Sequence, residues 1–182
     1  MMSGMKKGMV IAAVRYENDF ENALKSKTDF IFDLSPDILS LEEKVNSAHK
    51  AGKRLFIHID LANGIGKDKS GILYAKDRGV DGIISTRVNI IKTARECGLF
   101  TVQRFFIVDS HSVDTTVEAA KTSKPDMIEV MPGIMTKVIS DLKNKLDIPI
   151  IAGGLIETGK EAKEVFESGG FAISTGKTDL WN

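Results

Sequence analysis

Polar side chains follow nearly every short apolar run of this sequence, and their types are those that bind anions or exchange protons. If the runs are parallel strands of a barrel, the residues at their carboxyl ends share one open face, where barrel sites form. The sequence therefore predicts a small-ligand site at that end. Its candidate residues are Arg15, Asp33, His58, Asp60, Arg87, Arg104, Glu129, Gly153, Gly154, Ser174, Thr175 and Gly176.

The most specific pointer to a ligand is a pair of small-residue turns after the last two apolar runs, Gly153-Gly154 and Ser174-Thr175-Gly176. Turns without bulky side chains leave backbone N–H groups open to an anion, and phosphate sites in barrels often use the loops after strands 7 and 8. Tight turns and close packing of strand on helix are the alternative explanation of these glycines. The pattern favours a phosphate site.

Three arginines, Arg15, Arg87 and Arg104, stand where apolar runs end. A guanidinium group matches the geometry of a phosphate and stays charged at any working pH, so these side chains could complete an anion site. The alternative is a structural role, in ion pairs with carboxylates from neighbouring strand ends. The carboxylates available for such pairs are Asp33, Asp60 and Glu129.

A second chemistry is open to His58, Asp60 and Glu129. His58 and Asp60 are two residues apart, so on a strand they would share a face, and Glu129 could approach them across a barrel as a metal site or an acid–base pair. No second histidine stands at metal-ligand spacing, so no metal is predicted. None of the apolar runs contains a lysine, which argues against a Schiff-base aldolase.

The elements that would position these residues are eight apolar runs, each followed by polar residues and then by a segment with helical spacing. The predicted strands are Met9–Val14, Phe30–Leu34, Leu55–Ile59, Gly82–Ser85, Phe100–Val108, Met127–Met131, Ile148–Ala152 and Phe171–Ser174. The predicted helices are 17–26, 41–51, 71–78, 89–97, 113–122, 134–145 and 159–168, with a terminal stub over 178–182.

Alternation of buried strands with helices over 182 residues predicts an α/β fold, a compact (β/α)8 TIM-type barrel of parallel strands. Because the chain is short for eight such units, we expect the third helix to be short or irregular. We expect one barrel domain over residues 9–182, preceded by a disordered extension over residues 1–8.

Composition narrows the classes of partner. Lys plus Arg and Asp plus Glu number 25 each, so a polyanion needs a local patch because no global positive field exists. The single cysteine, Cys97, cannot form an internal disulfide, which fits a reducing cytoplasm. No apolar stretch approaches the roughly 18 residues of a membrane span, so no membrane association is expected.

Several strand-end blocks, taken together and in order, resemble one known family. They are Asp60-Leu61, Asp81 to Arg87, Gln103 to Phe106, Pro125 to Gly133, Pro149 to Ile156 and Leu180-Trp181. They resemble the glycerol uptake operon antiterminators, which respond to glycerol 3-phosphate, and the resemblance covers nearly the whole chain from Ile11 onward.

The resemblance implies a cytoplasmic regulator with a barrel fold that senses glycerol 3-phosphate, or a similar phosphorylated polyol, and then binds the leader mRNA of glycerol-utilisation genes. It implies no turnover and no cofactor, and it leaves a homo-oligomer open. Carried over by position, Arg87, Arg104, Gly153, Gly154 and Ser174 would face the ligand. Asp60 and Glu129 would meet its hydroxyl groups.

Two other functions are also compatible with the sequence. One is an isomerase or lyase acting on a small phosphorylated metabolite, with Glu129 or Asp60 as general base. The other is a plain metabolite-binding subunit. The regulator is the leading hypothesis, with ligand contacts that order the loops at the barrel mouth and expose a basic surface.

Overall fold

A computed structural model describes residues 4–182 as a closed barrel of eight parallel strands, which confirms the predicted (β/α)8 class. The strands are β1 Met9–Val14, β2 Phe30–Asp33, β3 Arg54–His58, β4 Gly82–Ser85, β5 Phe100–Phe106, β6 Met127–Met131, β7 Ile150–Gly153 and β8 Ala172–Thr175. They follow one another in sequence order, and β1 closes the barrel by pairing with β8. All strand carboxyl ends therefore meet at one end of the molecule.

Helices cover the outside of the barrel and return the chain to the other end. They are α1 Glu17–Lys25, α2 Leu41–Lys50, α3 Lys69–Asp77, α4 Val88–Glu96, α5 Ser110–Ser123, α6 Thr136–Lys145 and α7 Gly159–Glu167. The eighth position holds only a 3-10 turn, Thr178–Trp181. No helix within residues 4–182 is both long enough and apolar enough to cross a bilayer.

The third unit reaches its short helix through an extra turn. The strand β3 ends at His58, and a 3-10 turn, Ile59–Leu61, follows at once. The helix α3 is short but regular, with nine residues like α1, and Asp68 begins it by accepting a hydrogen bond from the Gly71 N–H at 3.0 Å. The expectation that Asp60 lies on the strand face of His58 is therefore wrong, because the chain has already left the sheet there.

Alternation along each strand divides the buried side chains into two sets. One set points into the barrel, where Phe32 and Phe100 flank Phe56 with ring centroids 5.4 and 5.7 Å from its own. The other set faces the helices and forms two further clusters. Gly82 gives the central ring its space, since a Cβ there would lie 2.3 Å from Phe56. The barrel interior around Phe56 is thus filled with aromatic side chains.

The segment before β1 also contributes to this interior. Met5 is buried in the same cluster as Met9, and the Gly8 N–H donates to the Phe171 carbonyl at 2.9 Å. The expectation of a disordered extension over residues 1–8 therefore does not hold at residues 5 and 8, because both make ordered contacts with the barrel. Residues 1–3 of that extension lie outside the described residues.

Candidate functional site

A cavity of about 400 Å3 opens at the carboxyl ends of β1, β7 and β8. It brings together seven of the twelve predicted residues, from five strands and the turns that follow them. These seven are Arg15, Arg104, Glu129, Gly154, Ser174, Thr175 and Gly176. Its size falls in the range of about 300–1,000 Å3 that is typical of small-molecule sites.

The floor of the cavity is a buried ion pair between neighbouring strands. Arg104 on β5 and Glu129 on β6 are in register and both point into the barrel. The Nε–H of Arg104 donates to Oε2 of Glu129 at 2.6 Å, and the two side chains are 4% and 0% exposed. Oε1 of Glu129 has no hydrogen-bond partner. A buried carboxylate oxygen without a donor is costly, so this atom is a ready acceptor for a ligand hydroxyl group.

The glycines of β7 are required by this floor. A Cβ at Gly153 would lie 2.5 Å from Oε1 of Glu129, so only glycine lets the carboxylate lie against the strand. Gly154 adopts a positive φ of 73°, and a Cβ there would also lie 2.8 Å from Met131. Gly153 is therefore a packing residue behind the cavity, whereas Gly154 lines the cavity itself.

The turn after β8 is fixed by hydrogen bonds to Thr175. Its hydroxyl donates to the Ile156 carbonyl at 2.7 Å and accepts from the Lys177 N–H at 3.0 Å. Its carbonyl accepts from Nε1 of Trp181 at 2.9 Å. The N–H groups of Leu155 and Gly176 donate to no protein acceptor in the part of the chain that the structure describes. Both residues line the cavity, so two backbone donors there are without a protein acceptor within residues 4–182.

Charges of both signs line the cavity. Lys177 pairs with Glu157 at 3.6 Å, so these two largely neutralise each other. Arg15 is exposed and forms no ion pair within residues 4–182. Asp19, in the first turn of α1, adds a carboxylate at the rim. After the pairs are set aside, Arg15 is the cation with freedom to meet an incoming anion.

Asp33 does not line this cavity. It faces the helices, is 1% exposed, and pairs with Nζ of Lys44 on α2 at 3.0 Å. Its other oxygen accepts from the Ser35 N–H at 3.0 Å. Each oxygen of Asp33 thus has a protein donor, and the residue holds the turn after β2.

Asp60 and Arg87 form a separate group beyond β3 and β4. The Asp60 carboxylate accepts from the Ser85 hydroxyl at 2.8 Å and from the Thr86 N–H at 2.7 Å. Nε of Arg87 lies 3.7 Å from the same carboxylate, and half of the Arg87 side chain is exposed. These contacts tie the turn after β3 to the turn after β4, and neither residue lines the cavity.

His58 points into the barrel interior and is 3% exposed. Burial lowers the pKa of its imidazole to about 4, and the Arg104 guanidinium acts in the same direction, while the Asp60 carboxylate opposes both. The ring is therefore neutral near pH 7, and its Nδ1 has no partner. Among residues 4–182 no three His, Cys, Asp or Glu side chains come together as a metal site would require.

Several cavity residues were not among the predicted candidates, including Tyr16, Asp19, Met131, Leu155 and Glu157. Each follows a predicted strand end by a few positions or closes the strand itself. Position near a strand end could therefore have indicated these cavity residues. The types of their side chains, however, do not suggest phosphate binding.

Comparison with known proteins gives this geometry a family. Residues 10–181 match the family model described as "Glycerol-3-phosphate responsive antiterminator". The chain belongs to this family. That placement confirms the resemblance seen in the strand-end blocks, and it favours a regulator over an enzyme.

Three relatives align with nearly the whole chain. A glycerol uptake operon antiterminator regulatory protein from Listeria monocytogenes is 33% identical, with a TM-score of 0.93 over 100% of this chain and 98% of that one. An antiterminator-related protein from Thermotoga maritima is 34% identical, with a TM-score of 0.86 over 97% of this chain and 99% of that one. The uncharacterized protein YgcP of Escherichia coli is 36% identical over 97% of this chain and 93% of its own length.

More distant solved structures at 13–16% identity, several aldolases and an orotidine 5'-phosphate decarboxylase among them, share the fold alone with this antiterminator family member.

Proposed function

We propose that the cavity binds glycerol 3-phosphate and that the protein, once loaded, binds leader mRNA and prevents early termination of transcription. The family description supports the ligand and the regulatory role. The observation that carries the proposal is the cavity itself, in which free turn amides, Arg15 and the buried Arg104–Glu129 pair face one space of about 400 Å3.

The phosphate group would lie against the turn after β8. The free Gly176 N–H and the unpaired Arg15 guanidinium are donors of the kind that phosphate oxygens accept from. Arg104 uses only its Nε–H on Glu129, and its terminal NH2 groups make no other hydrogen bond within residues 4–182. These groups supply positive charge from below the phosphate.

The glycerol group would lie over Glu129. Oε1 of this residue is buried, charged and without a donor, so a hydroxyl group that approaches it satisfies both partners. A ligand with a carboxylate at the same position would be repelled by Glu129. The floor therefore favours a phosphorylated polyol over a phosphorylated acid.

The enzyme hypothesis fits this arrangement less well. Asp60, one of its two candidate bases, lies outside the cavity and is held by Ser85 and Thr86. Glu129, the other, has one oxygen fixed by Arg104 at 2.6 Å. Incubation of the protein with glycerol 3-phosphate, followed by 31P and 1H NMR, should show unchanged ligand, whereas new resonances would favour an enzyme.

Thermal unfolding with ligand tests the sensing step. At a ligand concentration of 100 Kd the stabilisation is about 2.7 kcal/mol, which raises the Tm of a chain of this size by roughly 5–10 °C. We expect this rise with glycerol 3-phosphate and none with glycerol at the same concentration, because only the former carries the anion. No rise at millimolar glycerol 3-phosphate would contradict the proposal.

A matched pair of arginine variants locates the ligand. Arg15→Ala removes an unpaired cation from the cavity and should weaken glycerol 3-phosphate binding about tenfold or more. Arg87→Ala removes a strand-end arginine that lies outside the cavity and should leave the affinity unchanged. Calorimetric titration of both variants makes the comparison, and an equal loss in both would place the ligand elsewhere.

A further inference from the structure

A basic groove of about 440 Å3 lies at the opposite end of the barrel from the cavity, where α4, α5 and α6 end. Four cationic side chains line it, Arg95, Lys121, Lys124 and Lys145. All four are exposed. The lining contains one carboxylate, Asp147, so the groove carries local positive charge although the whole chain has none in excess.

Most of these cations have no carboxylate partner in the described part of the chain. Lys145 is already occupied, since its Nζ lies 3.0 Å from Asp141 and 3.4 Å from Asp114. Within residues 4–182, by contrast, Arg95, Lys121 and Lys124 form no ion pair. Unpaired exposed cations attract phosphate groups at low energetic cost, because no existing ion pair has to be broken.

Lys124 occupies a position that glycine would fit better. It follows α5 with a φ of 51°, in the left-handed region, whereas the turns after α2, α3, α4 and α7 place glycines there, Gly52, Gly79, Gly98 and Gly169. Its backbone is held on both sides: its N–H donates to the Ala120 carbonyl at 2.8 Å, and its carbonyl accepts from Arg95 at 3.0 Å. The chain therefore has a charged side chain at a position whose backbone conformation favours glycine.

Helix dipoles do not account for the whole groove. Cations are favoured near helix carboxyl ends, and Arg95, Lys121 and Lys145 fit that rule because they lie in the last turns of α4, α5 and α6. Lys124 lies beyond the helix end, and the last turn of α7 has no basic residue at all. The dipole rule therefore leaves Lys124 unexplained.

We infer that the basic groove contacts the sugar–phosphate backbone of the leader mRNA, an inference that rests on the proposed antiterminator function. Single-stranded RNA offers phosphates at every nucleotide, and lysine binds them as a point charge while arginine forms a fork. The ligand cavity and the RNA surface then lie at opposite ends of the barrel. Ligand and RNA do not touch, and the barrel between them carries the coupling.

Paired lysine variants test the groove. Lys124→Gly removes an amine and relieves the left-handed backbone, and Lys121→Gln removes the neighbouring charge, so the double variant should fold at least as well as the parent chain. The control is Lys160→Gln with Lys163→Gln on α7, where both side chains are more than three-quarters exposed. Both variants lose two positive charges.

With glycerol 3-phosphate at saturation, we expect the groove variant to bind leader RNA at least tenfold more weakly than the parent. The slope of log K against log salt should fall by about 1.4, the value for two single-strand phosphate contacts. The control should bind as the parent does, and both variants should keep the ligand-induced rise in Tm.

The possible outcomes distinguish failure of the groove inference from failure of the proposed antiterminator function. RNA binding unchanged in the groove variant, or lost equally in the control, would overturn the groove and leave the antiterminator function standing. Absence of RNA binding by the parent chain at saturating ligand would overturn both.

Discussion

Replacement of Arg104 by methionine tests the role of the buried ion pair in the fold. The change leaves Glu129 in the barrel interior with 0% exposure and no cationic partner. Removing one member of a buried pair typically costs about 3–5 kcal/mol, because the remaining charge has lost its compensation. This is a large part of the roughly 5–15 kcal/mol that stabilises a domain, and it corresponds to a fall in Tm of roughly 6–20 °C.

Urea unfolding followed by circular dichroism measures this loss. The double variant Arg104→Met with Glu129→Leu replaces both charges by apolar groups of similar size, and we expect it to recover most of the stability. It should nevertheless fail to bind glycerol 3-phosphate, since the cavity floor has lost its polar groups. A single variant that loses less than about 1 kcal/mol, or a double variant as unstable as the single one, would refute the reasoning.

Two further predictions concern His58 and Gly153. The pKa of His58 is about 4 in the folded protein against 6.5 for an ordinary histidine, so between these pH values the unfolded chain binds a proton that the folded chain does not. The free energy of unfolding should therefore fall by up to about 3 kcal/mol as the pH drops from 6.5 to 4. Urea titrations of His58→Leu should show a shallower dependence of this free energy on pH. Gly153→Ala would place a Cβ 2.5 Å from Oε1 of Glu129, so calorimetry should show at least tenfold weaker ligand binding, whereas Gly159→Ala, where a Cβ meets nothing within 4 Å, should bind as the parent chain does.

The fold was predictable because two independent patterns in the sequence agree. Apolar runs fix the strands, and glycines such as Gly52 and Gly98 mark the helix ends with the positive φ that the turns require. The ends of the elements were less accurate. The run Phe100–Val108 is apolar to its last residue, yet β5 stops at Phe106, because the apolar character of Ile107 and Val108 does not reveal where pairing with β6 ends.

Whether Arg104, Glu129 and Asp33 line the cavity depends on the direction in which each side chain points. Arg104 and Glu129 lie in register with their side chains inward, so both line the cavity, as their positions near strand ends predict. Asp33 lies at an equally good strand end, but it has the opposite parity and meets Lys44. Parity could be read from the sequence only if the exact strand ends were known. The end of β3 was likewise not evident from the sequence, so Asp60 was expected on the strand although the chain leaves the sheet after His58.

The aromatic side chains inside the barrel affect how a small molecule can reach the cavity. The rings around Phe56 lie in one buried cluster with Met5 and Met9 inside the barrel, and interiors of this kind are close-packed. We therefore expect a small molecule to enter and leave the cavity past its rim, where Leu155 is 63% exposed. We expect substitutions in the aromatic layer to lower the free energy of unfolding far more than they change the rate at which the ligand exchanges with solvent.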